Sequence, residues 1–260
     1  MKLSAAFGLL TDLRLACQAA FFPTLKAVFR SPLLLLHPRE ISRIFMAHVW
    51  KVFGNGTDES GRPVKESLIP ANARGVVLDI GAGHGHTLLY LDPTKVTKYV
   101  ALEPNQLMHS EIRTLAASKG FTEESGNCLI LPYGAEETAL IASALGGPRQ
   151  VDTIISVLTI CSIPEPERSL AKLVDEVLKP RGTFVFYEHV LSDRPDVAWW
   201  QRFWTPVWKW AFDGCCLDRP AHHWVANLDV WAESSVWGKP DEPEENLFWH
   251  RVGRFVKKSA

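Results

Sequence analysis

The chain has 260 residues, enough for one large domain or a domain with an appendage, and 47% of them are apolar, which supplies a sizeable core. Lys and Arg number 28 against 29 Asp and Glu, a net charge of −1, so no charge excess points to a nucleic-acid partner. The five cysteines, at positions 17, 128, 161, 215 and 216, are odd in number, contain no C-x-x-C and lack metal-ligand spacing; they suggest neither a disulfide framework nor a metal and fit a reducing, intracellular compartment.

Residues 1–36 carry the apolar runs LSAAFGLL, LACQAAFFPTL and SPLLLLH, interrupted by Asp12, Arg14, Lys26 and Arg30. None reaches the roughly 18 apolar residues that span a bilayer, and Asp12 splits the apolar region a secretory signal would need. Two readings stay open. One is a helix packed over the domain, favoured by the recurring charges; the other is peripheral membrane contact through residues 1–36. Residues 1–53 read as helical with breaks near Pro23, Pro32 and Pro38. Residues 54–72, polar and glycine-bearing, read as an exposed connection. Residues 1–72 are therefore expected to form a helical extension that packs on or caps the site, and 73–260 the main domain.

Residues 76–105 hold the most informative pattern. Val76, Val77, Leu78, Asp79 and Ile80 suit a strand buried on both faces. Gly81, Gly83 and Gly85 follow at alternate positions, where a missing Cβ lets a ligand approach the backbone. A helix starting after this turn would offer free N–H groups. Tyr99 to Leu102 reads as a second strand, and Glu103 at its end is placed to accept hydrogen bonds from a ribose. The G-x-G-x-G spacing differs from the G-x-G-x-x-G of dinucleotide binders.

Downstream, 104–118 reads as a helix, 128–131 as a strand, 137–145 as a helix, 151–160 as a strand, 165–178 as a helix and 183–187 as a fifth strand. The alternation predicts a Rossmann-like, doubly wound parallel α/β sheet. Its carboxyl edge would gather Gly81 to Gly85, Glu103, 134–136, 158–162, Glu188 and His189. Nine of ten tryptophans fall between 199 and 249. Residues 195–225 form a Trp-rich helical insert, with Trp200, Trp204 and Trp208 on one helix face.

The D-x-G-x-G-x-G motif of Asp79 to Gly85, with Glu103 beyond it, resembles motif I of class I S-adenosylmethionine-dependent methyltransferases. Past residue 183 the similarity sharpens. Tyr187-Glu188-His189, Pro206-Val207-Trp208-Lys209, Asp213-Gly214-Cys215-Cys216-Leu217 and the C-terminal HRVGRFVKK resemble the methyltransferase-like seven proteins, which are UbiE-like, membrane-associated and methylate small alkyl thiols. Glu103 stands where that family commonly has Asp. The resemblance implies S-adenosyl-L-methionine as cofactor, held by Asp79, Gly81, Gly83, Gly85 and Glu103, with Ala135 and Glu136 beside the adenine and Leu158 and Thr159 at the methionine end. It implies a small lipophilic acceptor, a thiol first, with oxygen or nitrogen acceptors of metabolite tailoring as the alternative and a non-catalytic cofactor-binding adaptor as the rival from another class.

For proton removal, His189 at the end of strand five is the candidate base. A thiol needs little such help. The insert following strand five can roof an acceptor site, with Trp200, Trp204, Trp208 and Cys215 as lining candidates, or simply pack as core. His84 and His86 read as shaping the glycine loop, and the adjacent His222 and His223 would diverge on a helix rather than share a metal. The oligomeric state is not encoded in any of these patterns.

Overall fold

The computed structural model describes residues 1–259. In chain order the helices are α1 (Leu3–Ala6), α2 (Leu9–Arg30), α3 (Pro38–Asn72), α4 (His109–Ser118), α5 (Thr138–Ala144), α6 (Pro166–Glu176), α7 (Pro195–Ala211) and α8 (Ala221–Ala226). The strands are β1 (Gly75–Ile80), β2 (Val96–Leu102), β3 (Cys128–Leu131), β4 (Val151–Val157), β5 (Leu178–His189), β6 (Trp231–Gly238) and β7 (His250–Lys257).

The strands form one sheet in the order β3-β2-β1-β4-β5-β7-β6. The first five are parallel, and β7 lies antiparallel between β5 and β6, so the doubly wound sheet is mixed. Side-chain alternation divides the core. Leu78, Ile80, Val100, Ile154, Phe184 and Phe186 face α5, α6 and α8. Val77, Tyr99, Ala101, Ile155, Val185 and Tyr187 face α3 and α4. Two buried faces explain why the central strands read as apolar runs rather than alternating ones. The outer strand β6 is largely exposed and carries Glu233, paired with Arg254, a charged edge that discourages further strand addition.

Four local expectations change. Residues 54–72 are not a connection: they complete α3, 35 residues and about 50 Å long at 1.5 Å per residue. Pro23 does not break α2 but sits inside it. The glycine turn is followed by a five-residue 3-10 turn, His86–Tyr90, rather than a helix with a dipole to offer. The N-terminal apolar runs, too short one by one, join into a nearly continuous helical stretch over Leu3–Arg30. By length and composition it could cross a membrane, and 22% of its apolar window is buried.

The long helix α3 is fixed to the sheet domain by a buried ion cluster. Lys65 Nζ donates to Asp58, and Tyr90 Oη donates to the same carboxylate at 2.9 and 3.0 Å. Lys65 and Asp58 are 3% and 5% exposed, so each charge depends on the other. Burial depresses the Lys65 pKa, and the Asp58 contact opposes that shift. Removing one partner of such a pair costs about 3–5 kcal/mol, whereas replacing both with apolar groups is close to neutral. Asp58→Ala is therefore expected to lower unfolding free energy by about 3 kcal/mol, and Asp58→Leu with Lys65→Met to recover most of it. Urea denaturation followed by circular dichroism measures both; an Asp58→Ala midpoint equal to wild type would remove the cluster as the α3 anchor.

Candidate functional site

Every group singled out in the glycine turn, save one, lies along the carboxyl edge of the sheet. Gly81, Gly83 and Gly85 all have positive φ, at +63°, +57° and +81°. At Gly81 a Cβ would collide with the Thr159 side chain, so β1 and β4 approach there as closely as backbone allows. At Gly83 a Cβ would sit 2.8 Å from Trp50 Nε1 of α3. That indole N–H is buried and unpartnered, as is His84 Nε2 beside it. The turn is thus a cradle with unsatisfied polar atoms over it, closed by α3 from above. Further ties run from Asn105 Nδ2 to Arg43 O at 2.9 Å and between His86 Nε2 and Asn55 Oδ1 at 3.1 Å.

The exception is Asp79. It is 1% exposed and points into the core, where its carboxylate accepts from Tyr99 Oη at 2.7 Å and Thr87 Oγ1 at 3.1 Å. It braces the turn from beneath and offers no free oxygen to the cradle. Burial lifts its pKa to about 7 against those two bonds. Glu103 does face the turn. Its Oε2 accepts from Gly83 N and its Oε1 from Asn105 N, both at 2.8 Å. Burial raises its pKa to about 7 despite these bonds. Ala135 is buried in the turn after β3, while Glu136 is exposed and folds back against Gly134.

The exit of β4 is held by Glu188, the residue before His189. Its fully buried carboxylate accepts from Ser156 Oγ at 2.6 Å, Thr159 N at 3.0 Å and Ile160 N at 3.1 Å. These bonds stabilise a turn in which Leu158 takes φ +55°, a conformation that L side chains rarely adopt. Thr159 Oγ1 reaches back to Gly81 O at 3.3 Å. Sequence reasoning expected residues 1–72 to pack on or cap the site, but singled out neither Glu188's role nor the α3 residues that lie over the turn, since neither Trp50 nor the glycines of α3 carry a motif.

His189 is 4% exposed, its Nδ1 has no partner, and its Nε2 lies 3.4 Å from Cys215 Sγ. Cys215 Sγ in turn lies 3.2 Å from Cys161 Sγ. The hydrogen bond from Cys215 and the nearby imidazole hold the Cys161 thiol well below the ordinary thiol range, and Cys215 is pushed up. Burial opposes charge on His189, but the Cys161 contact raises its pKa overall.

The Trp stripe splits. Trp204 and Trp208 are buried, and Trp200 is half-buried. Trp204 Nε1 donates to Ala6 O at 2.8 Å, pinning α7 to the N-terminal helices. Trp208 stacks on Phe212 at 4.0 Å and meets Phe248, which packs edge-on to His189. The insert is thus core toward α2 and wall toward His189. Trp199, Phe203 and Trp210 point outward. His222 and His223 do not diverge as expected: in the short α8 their rings lie 3.9 Å apart, tilted by 36°, and they group with exposed Asp193.

A family model described as "Methyltransferase domain" matches residues 60–232. Among curated proteins, Thiol S-methyltransferase TMT1B of Rattus norvegicus is 30% identical over 183 residues, 70% of each chain. Thiol S-methyltransferase TMT1A of Homo sapiens is 40% identical over 73 residues, 26% of this chain and 28% of its own. Among solved structures, the YcgJ protein of Bacillus subtilis superposes with TM-score 0.56 at 17% identity, covering 78% of this chain and 99% of its own. An O-methyltransferase family protein of Burkholderia thailandensis gives 0.56 at 12%, covering 85% and 60%. At those identities the structures speak for the fold alone.

The buried Asp79 gives stability a pH dependence of known sign. Its folded pKa of about 7 lies above the ordinary value of 3.8, so between these the folded chain keeps a proton that the unfolded chain releases. Its contribution therefore falls as pH rises from about 4 to 7 and stays low above that. Asp79→Asn is expected to flatten that part of the profile, so that the loss of stability between pH 5 and pH 8 is smaller than in wild type. Denaturant midpoints at the two pH values check it; equal losses in both proteins would show that Asp79 does not titrate in this window.

Proposed function

The chain belongs to the class I S-adenosylmethionine-dependent methyltransferases, and on that footing we propose that it methylates the sulfur of a small lipophilic thiol. Its cofactor is S-adenosyl-L-methionine. Bound, this cofactor supplies an electrophilic methyl group on a sulfonium sulfur. The cradle fits such a ligand: Trp50 Nε1 and His84 Nε2 are buried polar atoms without partners beside Gly83, whose missing Cβ makes room for that indole. In this reading Glu103 accepts hydrogen bonds from the ribose hydroxyls, and the backbone of Gly81, Gly83 and Gly85 lines the methionine side. Ala135 and Glu136 flank the adenine, and Leu158 and Thr159 border the methionine end. Asp79 acts only through Thr87 and Tyr99, by holding the turn in shape.

The observation that carries the acceptor class is the wall beside His189. Trp208, Phe212 and Phe248 form a dry aromatic surface next to three sulfur or imidazole groups. Such a wall suits an apolar acceptor, excludes water and lets a soft nucleophile line up for in-line displacement. The thiol S-methyltransferase activity for which the Rattus norvegicus relative is named supports the same class. His189 is the residue placed to take or orient the acceptor's proton.

The test is methyl transfer by the full chain to an alkanethiol, a phenol and an aniline of matched apolar size, read by product mass. Thioether is the expected product; methylation only at oxygen or nitrogen would overturn the thiol reading and leave the family standing. In a calorimetric titration with the cofactor, Gly83→Val should weaken binding at least about tenfold, because a side chain at this positive φ displaces Trp50 and reshapes the turn. Unchanged binding in a folded variant would move the cofactor away from this turn.

The N-terminal helical stretch is apolar and mostly outward-facing, consistent with membrane association. We read it, with exposed Phe22, Phe29, Leu33 and Leu36 and the outward Trp199 and Trp210 of α7, as a surface for peripheral contact with an intracellular membrane. A lipophilic acceptor partitions into the same phase. Full-length protein should float with phosphatidylcholine vesicles, and Phe22→Asp with Phe29→Asp should reduce the floated fraction several-fold. Wild type remaining wholly in the soluble fraction would defeat this reading.

A further inference from the structure

Cys161, His189 and Cys215 each bring one ligand atom to a point where all three lie within 4.8 Å of one another, and all three residues are buried. They come from separate elements: the turn after β4, the last residue of β5 and the turn after α7. Their closest approaches are 3.2 Å between the sulfurs and 3.4 Å from Cys215 Sγ to His189 Nε2. Hydrophobic packing does not call for this arrangement. Sulfur is a weak hydrogen-bond partner, and it is what the buried His189 Nε2 faces. Two thiols and one imidazole are, however, a ligand set that zinc takes in sites with three protein ligands and one open position.

We propose that Cys161, His189 and Cys215 form a zinc site whose fourth position receives the acceptor's sulfur. The metal site stands on the geometry alone; the role of the fourth position rests on the thiol reading of function. Zinc–sulfur bonds of about 2.3 Å at a tetrahedral angle place the sulfurs roughly 3.8 Å apart, so Cys215 need withdraw by only about half an ångström. It follows Gly214, at φ +88°, in a turn rather than in α7 itself.

Charge agrees with geometry. Zinc holds its cysteine ligands as thiolates, so a filled site would set two thiolates beside His189 and the buried Glu188 carboxyl. The cation among them is Arg219, whose Nη1 is engaged with Ile160 O and Ile163 O at 2.7 Å each. A divalent ion offsets the two thiolate charges, which a buried cluster needs. Glu188 also fixes the turn that carries Cys161 through Thr159 N and Ile160 N, the kind of outer support that ligands of a metal require.

The chemistry then balances simply. With zinc bound, His189 serves as a ligand rather than as the base, and the acceptor thiol releases its proton to solvent on coordination, as zinc-bound thiols do. The thiolate sulfur forms a bond to the methyl carbon while the methyl–sulfonium bond breaks, giving a thioether, S-adenosylhomocysteine and one proton. No oxidant or reductant is involved.

The test uses the full chain purified without chelator. Elemental analysis should find about one zinc per chain, near zero in Cys215→Ser, and no change in the exposed-cysteine control Cys17→Ser. Should Cys215→Ser misfold, cobalt added to zinc-depleted wild type gives an independent reading. A thiolate-to-cobalt charge-transfer band is expected, shifting when hexanethiol is added. Wild type with neither zinc nor a cobalt band overturns the site. A cobalt band indifferent to hexanethiol, or full thiol methylation by zinc-free enzyme, overturns the role of the fourth position and leaves the thiol reading intact. Bound zinc with methylation only at oxygen or nitrogen defeats the thiol reading and keeps the site.

Discussion

Three carboxylates buried at the carboxyl ends of β1, β2 and β5 set the shape of everything around them. Asp79 gathers Tyr99 and Thr87, Glu103 gathers the N–H groups of Gly83 and Asn105, and Glu188 gathers Ser156, Thr159 and Ile160. Each is desolvated and holds its charge only as far as its donors allow, so all three have raised pKa values, about 7, 7 and 8. A carboxylate in that position cannot tolerate a misplaced neighbour, because an unsatisfied buried charge costs several kcal/mol. The loops after β1 and β4 are therefore tied to acids from neighbouring strands, Glu103 and Glu188, while Asp79 and Glu103 also brace the loops that follow their own strands. That is how three irregular turns keep a common geometry without a helix dipole behind the glycine turn.

How far this was legible in the sequence depended on whether a residue's local pattern and its tertiary use agreed. The strands of the central sheet have both faces buried, so their apolar runs announced them. The glycine turn and Glu103 were legible because alternate glycines followed by an acid after the next strand have few other uses. Gly54 and Gly61 misled. Beside Asn55, Pro63 and Pro70 they read as turn residues, yet they lie within α3. A Cβ at Gly54 would come within 2.9 Å of His86, and one at Gly61 within 2.7 Å of Tyr187. They are there so that a helix can lie directly on the sheet and its first loop. Close approach and chain reversal call for the same residue, and sequence alone does not separate them.

The same ambiguity runs through the tryptophans. A four-residue spacing put Trp200, Trp204 and Trp208 on one face of α7, and spacing could not say what that face meets. The answer is the N-terminal helices: Trp204 bonds to Ala6 O, and Phe7 packs edge-on to both Trp200 and Trp204. Residues 1–30 thus serve the insert as much as any membrane. The opposite side of α7, with Trp199 stacked on Phe203, is left outward, continuous with an apolar helix. One element supplies a wall to the interior and an apolar exterior.

Cysteine spacing was the least informative signal, and the reason is topological. Metal motifs are recognisable when their ligands share a turn, as in C-x-x-C. Here 28 residues separate Cys161 from His189 and 26 more reach Cys215, because parallel strands return to one edge only after a crossover. The doubly wound sheet brings such distant positions together by construction. The turn after β4 borders both the glycine cradle, through Thr159, and the sulfur cluster, through Cys161 two residues on. A single short turn held by Glu188 thus joins the glycine cradle to the sulfur cluster.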